Sequence, residues 1–120
     1  MAQVMDVEAT YQRGFELRCE GRYAEARAEF EKVLAEQPGH ADSRWQIGLI
    51  QGFEGDFDGS CEVLKQVVEE HPEHQGALYD LAMTQMMLGM IDEASSNFRT
   101  LLKLNPEHEN ARRQLTYFGS

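Results

Sequence analysis

The chain has 120 residues, of which 42% are hydrophobic and 27% are charged, and its formal net charge is −10. This composition is typical of one folded domain, and so acidic a surface repels phosphate, which excludes nucleic acid and anionic membranes as expected partners. Because the apolar runs are too short to span a bilayer and the first residues lack the pattern of a signal peptide, we expect a cytoplasmic protein.

A period of 34 residues runs through the chain, and the three prolines, Pro38, Pro72 and Pro106, mark it. Glycine, small, bulky apolar, aromatic and histidine positions recur at the same offset: Gly21, Gly55 and Gly89; Ala26, Ser60 and Ala94; Phe30, Leu64 and Phe98; Tyr11, Trp45 and Tyr79; His40, His74 and His108. We therefore predict three repeats, at about 7–40, 41–74 and 75–108.

Each repeat is predicted to contain two helices. In the first repeat, the apolar residues that follow Gly21 recur on one helical face, at Tyr23, Ala26, Phe30, Val33 and Leu34. The glycine before this helix allows a tight turn, and the proline after it prevents the helix from continuing. Asp56 is placed to cap the corresponding helix of the second repeat. We expect the two helices of a repeat to cross most closely at their small residues, such as Gly14 with Ala26.

Residues 109–118 are predicted to form one further helix. Ala111, Leu115 and Phe118 fall on one face of it, and this apolar face can cover the end of the third repeat. Arg112 leaves the opposite face polar, as a capping helix requires. We therefore expect this segment to close the array of repeats.

These residues resemble the tetratricopeptide repeat (TPR) family, whose unit runs from an aromatic residue through Leu-Gly to Tyr, Ala, Phe and Pro. The match is strongest in the third repeat, at Leu81, Ala82, Ala94, Phe98 and Pro106. The first helices depart from the pattern, with Thr10 and Arg44 in place of the leading aromatic residue and Gln51 and Gln85 in place of the tyrosine. The resemblance implies an all-α, right-handed superhelical solenoid of three helix–turn–helix repeats, with the capping helix at its end.

The resemblance also implies a binding surface, because the first helices of TPR units line the concave side. The side chains expected there are aromatic or apolar: Tyr11, Phe15, Trp45, Leu49, Phe53, Tyr79, Met83 and Met86, with Met87 beside them. Aromatic residues are typical binding anchors, and methionines adapt to varied apolar partners. Periodicity alone does not separate concave residues from core residues, so packing between helices is the alternative, above all for Phe53 and Met87. The carboxylates expected along the edges are those of Glu8, Asp42 and Asp80.

The expected ligand is a protein or peptide segment with apolar anchors flanked by Lys or Arg, because acidic edges attract basic partners. One branch of the TPR family instead binds the C-terminal carboxylates of heat-shock chaperones through a basic clamp. The equivalent positions here are Tyr11, Phe15, Gln46, Gly76 and Asp80, none of which is Lys or Arg, so we expect no such clamp. The basic residue near the groove, Arg18, is expected to be a solvated surface charge.

No catalytic or metal-binding constellation is predicted, so we expect neither an enzyme nor a cofactor. His40, His74 and His108 belong to successive repeats about 10 Å apart, which is too far for the ligands of one zinc ion. Cys19 has no histidine at a recognisable spacing and is expected to be a buried thiol.

These observations predict protein–protein interaction, with the concave groove taking a peptide or helical segment of a partner. The alternative is a self-assembling scaffold or homodimer that uses the groove or the C-terminal helix. A second copy of the chain could cover Tyr117 and Phe118, which lie at the end of that helix. A mass measured in solution separates the two hypotheses.

Overall fold

The computed structural model describes residues 5–118, and the regular structure in that range is seven α-helices. They are α1 (Val7–Cys19), α2 (Tyr23–Glu36), α3 (Ala41–Phe53), α4 (Phe57–Glu70), α5 (Gln75–Met87), α6 (Ile91–Leu104) and α7 (Glu109–Tyr117). None of the described helices is long and apolar enough to cross a membrane.

The helices pair in chain order as α1 with α2, α3 with α4 and α5 with α6, and α7 packs against α6. Successive pairs stack, and the molecule is elongated, with extents of 59 × 27 × 21 Å. The first helices also contact one another directly, α1 with α3 and α3 with α5, so their faces adjoin along one side. This architecture confirms the all-α solenoid that the periodicity and the TPR resemblance predict.

The turn inside each pair depends on a glycine. Gly21, Gly55 and Gly89 have φ angles of 79°, 90° and 80°, a left-handed conformation that residues with a Cβ rarely adopt. The predicted break before each second helix is thereby confirmed. Space is not the constraint, because a Cβ at any of these glycines would have no heavy atom of the described chain within 4 Å.

The recurring histidines begin the first helix of the following pair. Nδ1 of His40, His74 and His108 accepts a hydrogen bond from the backbone N–H three residues later, at 3.2, 3.0 and 3.1 Å. An imidazole thus satisfies an amide at the N-termini of α3, α5 and α7, a role that Ser, Asp or Asn usually takes. Asp56 caps α4 as predicted, because it accepts from the Gly59 amide at 2.9 Å.

The first pair of helices packs around the ring of Phe30, which is fully buried together with Ala26. A Cβ at Gly14 would lie 2.8 Å from Cε1 of Phe30. The heavy atoms nearest to such a Cβ belong to the Phe30 ring, and the expected close approach of Gly14 to Ala26 stays a prediction. In the second pair, a Cβ at Gly48 would likewise lie 3.0 Å from Cδ2 of Leu64.

The third pair and α7 share one cluster of buried side chains: Leu78, Ala82, Ala94, Phe98, Leu101, Ala111 and Leu115. Ala111 and Leu115 come from α7, and the ring of Phe118 lies 6.1 Å from that of Phe98, measured between centroids. The helix predicted for residues 109–118 therefore covers the third pair as a capping helix does.

The thiol of Cys19 is exposed, so the expectation of a buried thiol is wrong. Cys19 ends α1, and the two residues that follow it, Glu20 and Gly21, are exposed as well. Cys61 is half-buried, and burial raises the pKa of its thiol.

Candidate functional site

An apolar cavity of about 300 Å³ opens between α3, α4 and α5. It is lined by Leu49, Gly52, Phe53, Phe57, Ser60, Asp80, Met83, Thr84 and Met87. The structure thus brings together three of the residues predicted to contact a partner, Leu49, Phe53 and Met83. Phe53 and Met87 retain 53% and 62% of their accessible surface, so large apolar side chains at the mouth of the cavity remain open to solvent.

Sequence reasoning missed part of this lining. Phe57 is the first residue of α4, whereas the side chains expected on the binding surface all came from the first helices. Phe57 recurs with Tyr23 and Ile91 at the repeat offset, so the sequence carries no separate signal for it. Thr84 was missed for a related reason, since a hydroxyl among apolar residues does not stand out in the pattern.

Trp45 and Asp80 join the second and third pairs of helices. The indole Nε1 of Trp45 donates a hydrogen bond to Oδ2 of Asp80 at 2.7 Å. The indole lies over Gly76, where a Cβ would be 2.6 Å from Cζ2, and its ring centroid is 5.0 Å from that of His74. Trp45 is half-buried and serves the packing between the two pairs.

Asp80, which was predicted to lie along an edge of the groove, is one of the residues that line the cavity. The hydrogen bond from Trp45 holds it there. Burial raises the pKa of Asp80 above the ordinary range, although the Trp45 hydrogen bond and the charges of Arg18 and His74 oppose the shift. Burial wins because it removes water from a charged group.

Tyr11 and Tyr79 are half-buried and occupy the places that correspond to Trp45. The ring of Tyr11 lies 5.5 Å from Phe30 and 5.7 Å from His40, and its hydroxyl accepts from Nε2 of Gln46 at 3.1 Å. Tyr79 makes the matching ring contacts in the third pair, to Phe98 at 6.0 Å and His108 at 5.3 Å. Each aromatic residue of this series therefore contacts the histidine that caps the next first helix.

Arg18, which was expected to be a solvated surface charge, is half-buried and packs against two aromatic rings. Its guanidinium carbon lies 5.0 Å from the ring centroid of Phe15 and 5.8 Å from that of Phe53, distances at which a cation is attracted to an aromatic face. Its Nε is buried without a hydrogen-bond partner among the described residues. Phe15 is thus covered by Arg18, and Met86 packs against the core of the third pair.

The other two predicted edge carboxylates, those of Glu8 and Asp42, lie together at the N-terminal end of the molecule. They line a polar cleft of about 620 Å³ with Asp6, Ala9, Tyr11, Gln12 and His40. Oδ1 of Asp42 is 2.7 Å from Nε2 of His74. Within residues 5–118, no group of three His, Cys, Asp or Glu residues is placed to hold a metal ion.

The chain is similar to several solved structures. It matches the first TPR of Spaghetti (RPAP3) bound to the HSP90 peptide SRMEEVD with a TM-score of 0.87 and 16% identity, over 94% of this chain and 90% of that one. It matches MamA of Desulfovibrio magneticus RS-1 with a TM-score of 0.80 and 25% identity, over 93% of this chain and 63% of that one. For YrrB, described as a TPR protein with an unusual peptide-binding site, the values are 0.79 and 19%, over 92% and 57%. The chain therefore spans less than two thirds of the MamA and YrrB chains.

Comparison with curated protein sequences found no match. Two family models described as tetratricopeptide repeat do match the chain, one over residues 54–116 and the other over residues 7–40. The first match alone spans more than half of the sequence, and the stacked helix pairs have the architecture of the family's solved members. The chain therefore belongs to the tetratricopeptide repeat family.

Proposed function

We propose that this protein is an interaction module that binds a peptide segment of a partner protein in the cavity between α3, α4 and α5 and along the adjoining faces of α1, α3 and α5. The observation that carries the proposal is the apolar cavity, whose mouth leaves Phe53 and Met87 open to solvent. Apolar side chains exposed around a concavity are typical of a surface that a partner covers. The peptide-bound neighbour and the peptide-binding site named for YrrB support this choice of ligand.

The size and lining of the cavity suit an apolar anchor residue. A space of about 300 Å³ holds one or two large side chains, such as Leu, Met or Phe, and lies at the small end of ligand pockets. Met83 and Met87 are flexible and polarisable, so they adjust to anchors of different shape. Covering this lining would remove apolar surface from water, which provides the affinity.

The charges of the groove favour a basic partner. Asp80 lies in the cavity wall, and Glu8 and Asp42 line the cleft at the N-terminal end, in a protein with a net charge of −10. The peptide bound by the RPAP3 domain, SRMEEVD, is acidic towards its end. The present groove has Asp80 where a basic clamp would need a cation. We therefore propose an amphipathic segment with flanking Lys or Arg as the ligand.

Self-assembly is the second hypothesis. The observation in its favour is that Tyr117, at the end of α7, is 73% exposed. The cleft on α7 is lined by Glu109, Arg112, Arg113 and Thr116, which are polar residues. A polar surface of this kind suits contact with water better than contact with a second copy. Light scattering at micromolar concentration distinguishes the two, because the interaction module is a monomer before its ligand is added.

The proposal is tested by selecting ligands from a random peptide library displayed on phage and measuring the affinity of the enriched peptides by fluorescence anisotropy. We expect Phe53→Ala and Met87→Ala to weaken binding about tenfold each, as the loss of apolar contact at an anchor site does. Both side chains are exposed, so both variants should remain folded, although Phe53→Ala also removes the contacts of Phe53 with Tyr23 and Arg18. Leu104→Ala is the matched control, because Leu104 is an exposed apolar residue of α6 that does not line the cavity. Enriched peptides that bind both cavity variants as tightly as wild type would contradict the proposal.

A further inference from the structure

We infer that Asp80 determines the charge of the peptide that the cavity accepts: it takes a hydrogen bond from a Lys or Arg next to the apolar anchor and excludes a carboxylate from that place. This inference rests on the proposed function of the cavity. It goes further in assigning the selection to one carboxylate and not to the acidic surface as a whole.

The position of Asp80 allows such a contact. Asp80 lines the cavity together with Leu49, Phe53 and Met83. Trp45 donates to one of its oxygens, Oδ2, at 2.7 Å and so fixes the side chain. A carboxylate has about four acceptor positions on its two oxygens, so one donor leaves acceptor capacity for a ligand. A cationic side chain that follows an apolar anchor into the cavity would meet this oxygen pair.

The negative charge of Asp80 is not needed for the contact that it makes within the protein. An asparagine oxygen would accept the same hydrogen bond from Trp45. No salt bridge among the residues the structure describes involves Asp80, and burial disfavours its charged form, as the raised pKa reflects. A buried charge that does not serve stability is typical of a site that serves binding.

Neither of the two cationic side chains that influence Asp80, Arg18 and His74, forms a salt bridge with it among the described residues. Arg18 is held against the rings of Phe15 and Phe53, and it acts on Asp80 through its charge without forming a salt bridge. The Nε2 atom of His74 faces Asp42 at 2.7 Å, so the imidazole is engaged elsewhere. Asp80 therefore remains available to a cation supplied by the ligand, which would gain a charge-assisted hydrogen bond in a partly dehydrated place.

The test uses two versions of the tightest peptide from the library selection, which differ only in carrying Lys or Glu beside the apolar anchor. Their affinities are measured by anisotropy for wild type, Asp80→Asn and Asp92→Asn. The last variant is the matched control, because Asp92 is an exposed carboxylate of α6 outside the cavity and its removal changes the net charge equally. We expect wild type and Asp92→Asn to prefer the Lys peptide at least about tenfold, and Asp80→Asn to lose most of that preference.

The outcomes separate this inference from the proposed function. If Asp80→Asn keeps the full preference for the Lys peptide, selection by Asp80 is refuted while peptide binding stands. If wild type itself shows no preference or prefers the Glu peptide, the inference is refuted without any variant. If no peptide is enriched, or if neither version binds, the proposed function fails and this inference fails with it.

Discussion

His74 makes two contacts whose contributions to stability can be measured separately by replacing its side chain. Its Nδ1 accepts from the Ala77 amide at 3.0 Å and caps α5, while its ring packs against the indole of Trp45 at 5.0 Å between centroids. An N-cap contributes about 1 kcal/mol to stability, and an edge contact between rings contributes about 1 kcal/mol more. His74→Ala removes both contacts and also the contact of Nε2 with Oδ1 of Asp42, which adds little because the Asp42 side chain is exposed, so we expect the free energy of unfolding to fall by about 2 kcal/mol.

Two further variants of His74 divide this loss of stability between the helix cap and the ring contact with Trp45. Asn retains a side-chain acceptor for the cap but has no ring, and Phe retains a ring but has no acceptor. Each should therefore cost about half as much as Ala, or about 1 kcal/mol. The stabilities are measured by urea denaturation followed by circular dichroism. At about 4 °C per kcal/mol in a domain of this size, His74→Ala should also lower the melting temperature by roughly 8 °C.

The matched control is His71→Ala. His71 follows the last residue of α4 and does not cap a first helix, so its loss should cost less than about 0.5 kcal/mol. Were His74→Asn to lose as much stability as His74→Ala, the cap would contribute nothing. A His74→Ala protein as stable as wild type would refute the whole account of the histidines.

Two other predictions concern stability. At pH 7, Asp80→Asn should be more stable than wild type. Burial raises the pKa of Asp80, so wild-type stability falls as the pH rises through that raised pKa. The variant keeps an acceptor for the hydrogen bond from Trp45. The difference should vanish as the pH is lowered to about 4, and urea titrations at both pH values would show it; a constant difference would contradict the assignment. Gly14→Ala should destabilise by about 1 kcal/mol, because the close contact with Phe30 costs more than the gain of about 1 kcal/mol in helix propensity. An increase in melting temperature would show that the Phe30 ring can move aside.

The helical pairs could be predicted from the sequence because the features that define them are local. Glycines at positive φ and prolines after each second helix recur at one offset, and the apolar face between them repeats every turn. Asp56 belongs to the same class, since a cap is formed within a few residues. The histidines were recognised as a series but not as caps, because an imidazole offers an acceptor only in the tautomer with an unprotonated Nδ1.

The candidate site was harder to predict because it depends on contacts between distant residues. Asp80 was expected at an edge, and its place in the cavity wall follows from a hydrogen bond to Trp45, which lies in the preceding repeat. The placement of Arg18 is likewise set by Phe53, a residue of the next pair. Periodicity assigns a residue to a helical face, but it does not say which side chain of a neighbouring unit that face meets.

The elongated stack of helix pairs has a consequence for how the protein partially unfolds. Residues contact mainly the pairs next to them, so folding can spread from neighbour to neighbour, and we expect the terminal helices to exchange their amide protons before the interior does. The cavity is built by α3, α4 and α5, which are the middle helices of the stack. Fraying of α1 at one end or of α7 at the other should therefore leave the lining residues of the cavity in place, although fraying of α1 would release Arg18 from Phe53 and remove the α1 part of the proposed surface.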